Sequence, residues 1–134
     1  MNAELDKQLM VTIDNKVGTL AQVTNVVSAC GINLIAVCAY AVDNKGVIMF
    51  VCDDNKQAKK LLKAKKYDVR EEEVVLLSLD NKPGALQTIS RKIAAVGIDL
   101  TLLYGSVDKE GKTSRVVLIS EDNKAVLMAI DKKS

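Results

Sequence analysis

The chain contains the same pattern twice, and this internal repeat constrains its fold more than any other feature. Moving the sequence by 66 residues places Asp14–Gly18 (DNKVG) on Asp80–Gly84 (DNKPG). With 134 residues the chain is long enough for one ordinary domain or two very small ones, and length alone does not decide between them. The repeat predicts two copies of one unit, over residues 6–72 and 73–134.

Each copy has the pattern strand, helix, hairpin, helix. In the first copy every second residue from Leu9 to Ile13 is apolar, which indicates a strand. Apolar residues then recur at helical spacing up to Cys30, and Gly31 follows where a helix favours a glycine stop. Residues 32–51 have the composition of a β-hairpin, and residues 54–63 that of a helix with a lysine-covered outer face. The second copy repeats these elements, so the sequence predicts an α+β fold of two βαββαβ units.

Two features of the predicted strands leave surface that another part of the protein could cover. The second copy reaches Ser134 before a last strand forms, so its sheet edge stays open or pairs with the N-terminal segment or a second subunit. Residues 32–42 and 74–79 are apolar on both faces, which is typical of strands covered on both sides. We therefore expect a homodimer or higher homo-oligomer.

Composition and charge exclude several classes of partner. The net charge is +2, with 19 basic and 17 acidic residues, so there is no strong field to attract nucleic acid or an anionic membrane. The chain has one Phe, three Tyr and no Trp, too few aromatics for an RNA-stacking sheet. No apolar run approaches the length of a membrane span, and the N-terminus does not resemble a signal peptide. The expected location is the cytoplasm.

The sequence offers little for catalysis, metals or cofactors. It has no histidine, which removes the commonest general base and the commonest metal ligand. The three cysteines, Cys30, Cys38 and Cys52, form no CxxC pair and lie in apolar stretches. Glu71 and Glu73 share one side of a strand while Glu72 faces the other, so a metal site there is not expected. We expect no enzyme activity, no metal and no cofactor.

The repeated motifs resemble the ACT domain, a regulatory βαββαβ module of ferredoxin-like architecture with its helices on one face of an antiparallel sheet. They are the DNKVGTL and DNKPGAL loops at Asp14–Leu20 and Asp80–Leu86, and the GINL and GIDL segments at Gly31–Leu34 and Gly97–Leu100. Val17 departs from the family pattern, which usually has proline there. The likeness is to free-standing tandem ACT proteins, which carry no attached enzyme.

The resemblance implies a ligand, usually an amino acid, bound where two ACT domains meet. The site would join the first loop of one domain to the start of the second strand of its neighbour. In the first copy the corresponding residues are Asp14, Asn15, Val17, Gly18, Thr19, Leu20, Asn33 and Leu34. In the second copy they are Asp80, Asn81, Pro83, Gly84, Ala85, Leu86, Asp99 and Leu100.

Local roles in this site are hypotheses with structural alternatives. Backbone N–H groups at each glycine turn would hold a ligand carboxylate, helped by the helix dipole. Asp14 or Asp80, together with Asn33 or Asp99, would hold the ammonium group. Each of these polar side chains equally fits loop stabilisation, since Asp-Asn-Lys occurs five times and favours turns and helix caps. Tyr40 and Tyr104 fit either a pocket or a core.

Three functions agree with the sequence to different degrees. The first is a non-catalytic amino-acid sensor whose ligand changes how the protein packs against itself or an enzyme. The second is a regulatory subunit that docks an enzyme of amino-acid metabolism and has degenerate ligand sites. The third is an enzyme on the same fold, against which the missing histidine and missing acid–base pairs count.

Overall fold

A computed structural model of the chain describes residues 2–107 and 111–131. The last three residues of the second predicted copy lie outside the described residues. In chain order the elements are β1 (Asn2–Asp14), α1 (Thr19–Ser28), β2 (Leu34–Val42), β3 (Lys45–Cys52), α2 (Asn55–Ala64), β4 (Asp68–Asp80), α3 (Ala85–Ala95), β5 (Leu100–Val107), β6 (Thr113–Ser120) and α4 (Asn123–Asp131).

The chain forms two compact units. We call Lys7–Glu72 the first module, and Met1–Asp6 together with Glu73–Ser134 the second module. The long strands β1 and β4 each contribute residues to both modules.

The first module is a four-stranded sheet covered by two helices. Its strand order is β2-β3-β1-β4, and β1 runs antiparallel to β3 with Leu9 opposite Phe50. Residues four apart on each helix, such as Val23 and Val27 on α1, point into a common core with Leu9 and Phe50. Burial of this apolar stripe fixes the helices on one face of the sheet.

The second module repeats this arrangement and takes its fourth strand from the N-terminus. Its strand order is β1-β4-β6-β5, and Ile89 and Ile93 of α3 are buried at its core. Ala3 and Leu5 at the start of β1 pack against the same core. The edge that the second repeat leaves open in sequence is therefore covered by the N-terminal segment, and the predicted pair of ferredoxin-like α+β sandwiches is confirmed.

The strands differ in how well their second face is covered. On β4 both faces are buried, since Val74 and Val75 have no exposed surface. The apolar pattern of β4 therefore needs no second subunit to explain it. On β2, in contrast, the apolar side chains of Val37, Tyr40 and Val42 are about half exposed, at 50%, 47% and 58%. Homo-oligomer formation stays a prediction, and these side chains of β2 are the surface on which it depends.

Candidate ligand-binding turns

Two glycine turns, one in each module, join a strand to the helix that follows it. Gly18 precedes α1 with φ 87° and ψ −4°, and Gly84 precedes α3 with φ 86° and ψ −7°. These left-handed angles are strained for residues with a side chain. A Cβ added to either glycine meets no atom within 4 Å, so the glycine is required by backbone conformation and not by lack of space.

The turns leave helix N–H groups without an acceptor. Neither turn has a side-chain cap. In the described part of the chain, the N–H groups of Gly18, Leu20 and Ala21 donate to no protein group, and the same holds for Gly84, Leu86 and Gln87. The N–H groups of Thr19 and Ala85 donate back into their own turns, to Lys16 O and Lys82 O, both across 3.3 Å. Each helix thus begins with open donors at the positive end of its dipole, an arrangement that suits an anion.

The aspartate that ends each strand is tied to a nearby lysine. Asp14 accepts a hydrogen bond of 2.7 Å from Lys45 Nζ, whereas Asp80 is 4.0 Å from Lys82 Nζ. The hydrogen bond and the charge of Lys45, with a smaller effect from Lys16, hold the pKa of Asp14 below its ordinary value of 3.8. Asp14 is therefore ionised near neutral pH and already paired.

The neighbouring asparagines hold the turns in place. The N–H of Asn15 donates to Asn44 O, and that of Asn81 to Lys112 O, both across 2.9 Å. The side-chain amide of Asn81 also donates to Gly111 O across 2.8 Å. Asn81 therefore acts first as a loop anchor.

A cavity of about 290 Å³ lies beside the turn of the second module. Four of its lining residues are ones the sequence pointed to: Asp80, Asn81, Ala85 and Leu86. Pro83 and Gly84 lie in the turn itself. The sequence reasoning missed Leu103, Gly105 and Ser114, which line the cavity from β5 and β6. Gly105 could have been found from the sequence, because an isolated glycine inside an apolar strand often marks a place where a ligand or another backbone comes close.

A second cavity, of about 430 Å³, lies beside the turn of the first module. Asp14 and Thr19 line it as predicted candidates, while Asn15, Val17, Gly18 and Leu20 are not among its lining residues. The sequence reasoning missed Lys16, Lys45 and Lys66, because each stands in a segment that also has a simple turn or solvated-helix explanation. The full lining set is Thr12, Ile13, Asp14, Lys16, Thr19, Gln22, Lys45, Lys66, Tyr67 and Asp68.

The predicted residues at the start of β2 and β5 lie away from the turns of their own modules. Helix α1 has 10 residues and separates Gly18 from Asn33 by about 15 Å along its axis. The N–H of Asn33 donates to Asp53 Oδ1 across 3.1 Å, and that of Asp99 donates to Glu121 Oε1 across 3.0 Å.

Register irregularities follow at these strand starts, between Leu34 and Ala36 and between Leu100 and Leu102. Such bulges reorient the side chains beside them. Within one module, then, the two halves of the predicted site are not brought together.

The family model of the ACT domain pair matches residues 5–133. The chain belongs to the ACT domain family. The ACT domain is a regulatory domain, and the match covers both modules of this ACT domain pair.

Solved structures share the fold of the whole pair. Protein BT0572 from Bacteroides thetaiotaomicron matches with a TM-score of 0.88 and 28% identity, over 97% of this chain and 89% of that one. The ligand-free regulatory subunit of aspartate kinase from Thermus thermophilus matches with a TM-score of 0.68 and 15% identity, over 97% and 95%. A putative C-terminal regulatory domain of aspartate kinase from Porphyromonas gingivalis matches with a TM-score of 0.57 and 14% identity, over 96% and 94%. No curated protein sequence matches the chain.

The described residues offer neither a metal cluster nor a membrane-spanning helix. In residues 2–107 and 111–131, no three His, Cys, Asp or Glu side chains lie close enough together to hold a metal ion. No helix in that part of the ACT domain pair is long and apolar enough to cross a membrane.

Proposed function

We propose that this ACT domain pair is a non-catalytic regulatory protein that binds an amino acid at its glycine turns. The carrying observation is that both modules repeat the same turn, with a left-handed glycine, open helix N–H groups and an adjoining cavity. The open N–H groups would hold the ligand carboxylate. The cavity of the second module adds the apolar side chains of Leu79, Leu86 and Leu103, which suit an aliphatic ligand side chain.

The proposal extends to a second copy of the chain. Asn33 and Asp99 are exposed and lie at the far end of α1 and α3 from the turns of their own modules. A second copy would have to supply such a strand start to a turn of the first, and the exposed apolar side chains of β2 are the surface proposed for its contact. The three cysteines are free thiols, which agrees with a reducing compartment and the proposed cytoplasmic location.

Binding is tested by thermal shift and calorimetry with each standard amino acid and the full chain. The expected result is stabilisation by one or a few amino acids, because a ligand that binds only the folded state raises the melting temperature. Gly84→Val should abolish binding at the second turn. Gly97→Val is the control for stability alone, because Gly97 is also left-handed, with φ 70° and free space around it, so this variant shows how far such strain lowers the melting temperature. An unchanged number of ligands bound per chain in Gly84→Val, or no binding by the native chain, contradicts the proposal.

A second candidate function, enzyme docking with degenerate ligand sites, is favoured by one surface of the second module. Met128 is 73% exposed and lines an open apolar depression with Val96, Ile98 and Ala129. The matching position of the first repeat is Lys60, an exposed charged residue on α2. A stoichiometric enzyme partner that is retained without amino acids and lost in Met128→Lys would favour this candidate.

A further inference from the structure

Three lysines from three separate segments meet at the cavity of the first module. Lys16 lies in the turn before α1, Lys45 begins β3, and Lys66 lies between α2 and β4. In the described part of the chain, Lys45 is paired with Asp14 while Lys16 and Lys66 make no salt bridge. Two ammonium groups are therefore available at this cavity.

The backbone of Lys66 shows that its position is unusual. It has φ 68°, and the bonds from Lys66 N to Lys63 O (2.9 Å) and from Tyr67 N to Leu62 O (3.1 Å) complete the turn that ends α2. Glycine is strongly favoured at this place. Helices α1 and α3 are indeed followed by left-handed glycines, Gly31 and Gly97. At the end of α2 a lysine occupies this left-handed position, and its side chain lines the cavity.

The charges that line this cavity indicate which ligand charges would fit it. Three ammonium groups face two carboxylates, Asp14 and Asp68, so the lining has a formal charge of +1. The hydroxyls of Thr12 and Thr19 and the amide of Gln22 add neutral polar contacts. A ligand with two carboxylates and one ammonium group carries a net charge of −1. Its carboxylates can pair with the ammonium groups of the lining, its ammonium group can pair with a carboxylate, and its net charge balances the +1 of the lining.

The second module repeats only part of these charges, because Asp80 and Lys82 match Asp14 and Lys16 but Lys45 has no charged counterpart. The partner of Asp14 in the β1–β3 register is Lys45, whereas the partner of Asp80 in the β4–β6 register is Thr113. The position of Gln22 corresponds to Thr88. The cavity of about 290 Å³ in that module has one carboxylate and one ammonium group, from Asp80 and Lys82, and the rest of its lining is uncharged and mostly apolar.

We propose that the cavity of the first module binds an acidic amino acid. This inference rests on the proposed function, since it names the ligand class of one of the two turns. The open N–H groups of the turn hold the α-carboxylate as in the proposed function, Lys16 and Lys66 hold the side-chain carboxylate, and Asp68 holds the ammonium group. Its volume of about 430 Å³ falls in the range of small-molecule sites, roughly 300–1,000 Å³.

Calorimetry on the full chain tests the ligand class, with L-aspartate, L-glutamate, L-alanine, L-lysine, succinate and inorganic phosphate as probes. One of the acidic amino acids should bind at least about tenfold more tightly than the other probes, a difference that one charge-assisted contact supplies. Equal binding of succinate or phosphate overturns the inference, because it would reveal a patch for anions in general. Binding of alanine without aspartate or glutamate also overturns it and leaves the proposed function intact, whereas no binding by any amino acid is the failure of the proposed function.

Variants at Lys66 test the site. Lys66→Gly should fold, because glycine relieves the left-handed angle, and should bind the acidic ligand about tenfold more weakly. Lys66→Arg should keep most of the affinity, and Lys56→Ala, on α2 and outside the cavity lining, should leave it unchanged. Unchanged affinity in Lys66→Gly overturns the assignment.

Discussion

The side-chain amide of Asn123 donates a hydrogen bond to the backbone carbonyl of Glu73 across 3.1 Å. Its Oδ1 accepts from Ser120 N at 2.8 Å and from Ser120 Oγ at 3.0 Å. Asn123 thus ties the first residue of α4 to β4 and to the end of β6. The first module has the same device, in which Asn55 donates to Lys7 O across 2.8 Å.

Replacing Asn123 by alanine should destabilise the second module by about 2–3 kcal/mol. The variant removes a buried amide and leaves the Ser120 N–H and the Glu73 carbonyl without their partner. Urea unfolding followed by circular dichroism measures the change. Asn25→Ala is a control on the exposed face of α1, where no side-chain bond is lost. Equal stability of the two variants would show that the Asn123 contacts contribute nothing.

These contacts explain how much of the fold the sequence predicted. The repeat and the periodicity gave the elements and their order because each depends on local residue spacing. The role of Asn55 and Asn123 was not visible, because turn chemistry alone accounts for Asp-Asn-Lys at a helix start. Here Asp54 and Asp122 do cap their helices, through Gln57 N and Ala125 N, both across 3.1 Å, while the asparagine that follows each of them makes a long-range bond.

The candidate site was also predictable only in part, because local sequence patterns do not show long-range contacts. The glycine turns follow from local sequence, and Gly18 and Gly84 adopt the backbone that a strand-to-helix turn requires. The cavity-lining residues on β3, on β5 and in the turn between α2 and β4 reach the cavities only through strand pairing and the packing of distant segments. Lys66 is distant in sequence from Asp14, so no local pattern links the two.

Disrupting the packing of the start of β1 should destabilise the second module. Leu5 packs against the core formed by α3, α4, β4 and β6. Leu5→Asp places a charge in this packing and should cost about 2–4 kcal/mol. It should also promote aggregation through the exposed edge of β4, seen by light scattering. Glu4→Ala, at an exposed neighbouring position, should leave the unfolding midpoint unchanged. A stable, monodisperse Leu5→Asp variant would show that the N-terminal segment is dispensable.

The pair formed by Asp14 and Lys45 should give a pH-dependent contribution to stability. Lys45, first through its hydrogen bond and then through its charge, lowers the pKa of Asp14 below 3.8 in the folded state. The folded state therefore binds the proton less readily than the unfolded one. The contribution is fully present above the unfolded-state pKa and is lost as the pH falls through the folded-state pKa.

The measurement is the stability difference between the native chain and Lys45→Met as a function of pH. The difference should be constant around neutral pH and shrink as the pH falls below 3.8, the ordinary pKa of the aspartate. Because both side chains are exposed, added salt should also reduce it. A difference that is flat across the acid range would mean that Lys45 acts only through its place in the sheet.

Lys66→Gly should raise the free energy of unfolding while it weakens ligand binding. Lys66 has a left-handed backbone, which costs a residue with a side chain about 1 kcal/mol more than glycine. The gain is partly offset, because glycine gives the unfolded chain more freedom, so the expected net change is about 0.5 kcal/mol. Lys65→Gly is the matched control, since Lys65 has φ −88° and gains nothing from glycine there. Chemical unfolding of both variants should therefore give changes of opposite sign. If Lys66→Gly proves less stable than the native chain, the lysine side chain stabilises the fold itself, and its retention at the strained position needs no ligand to explain it.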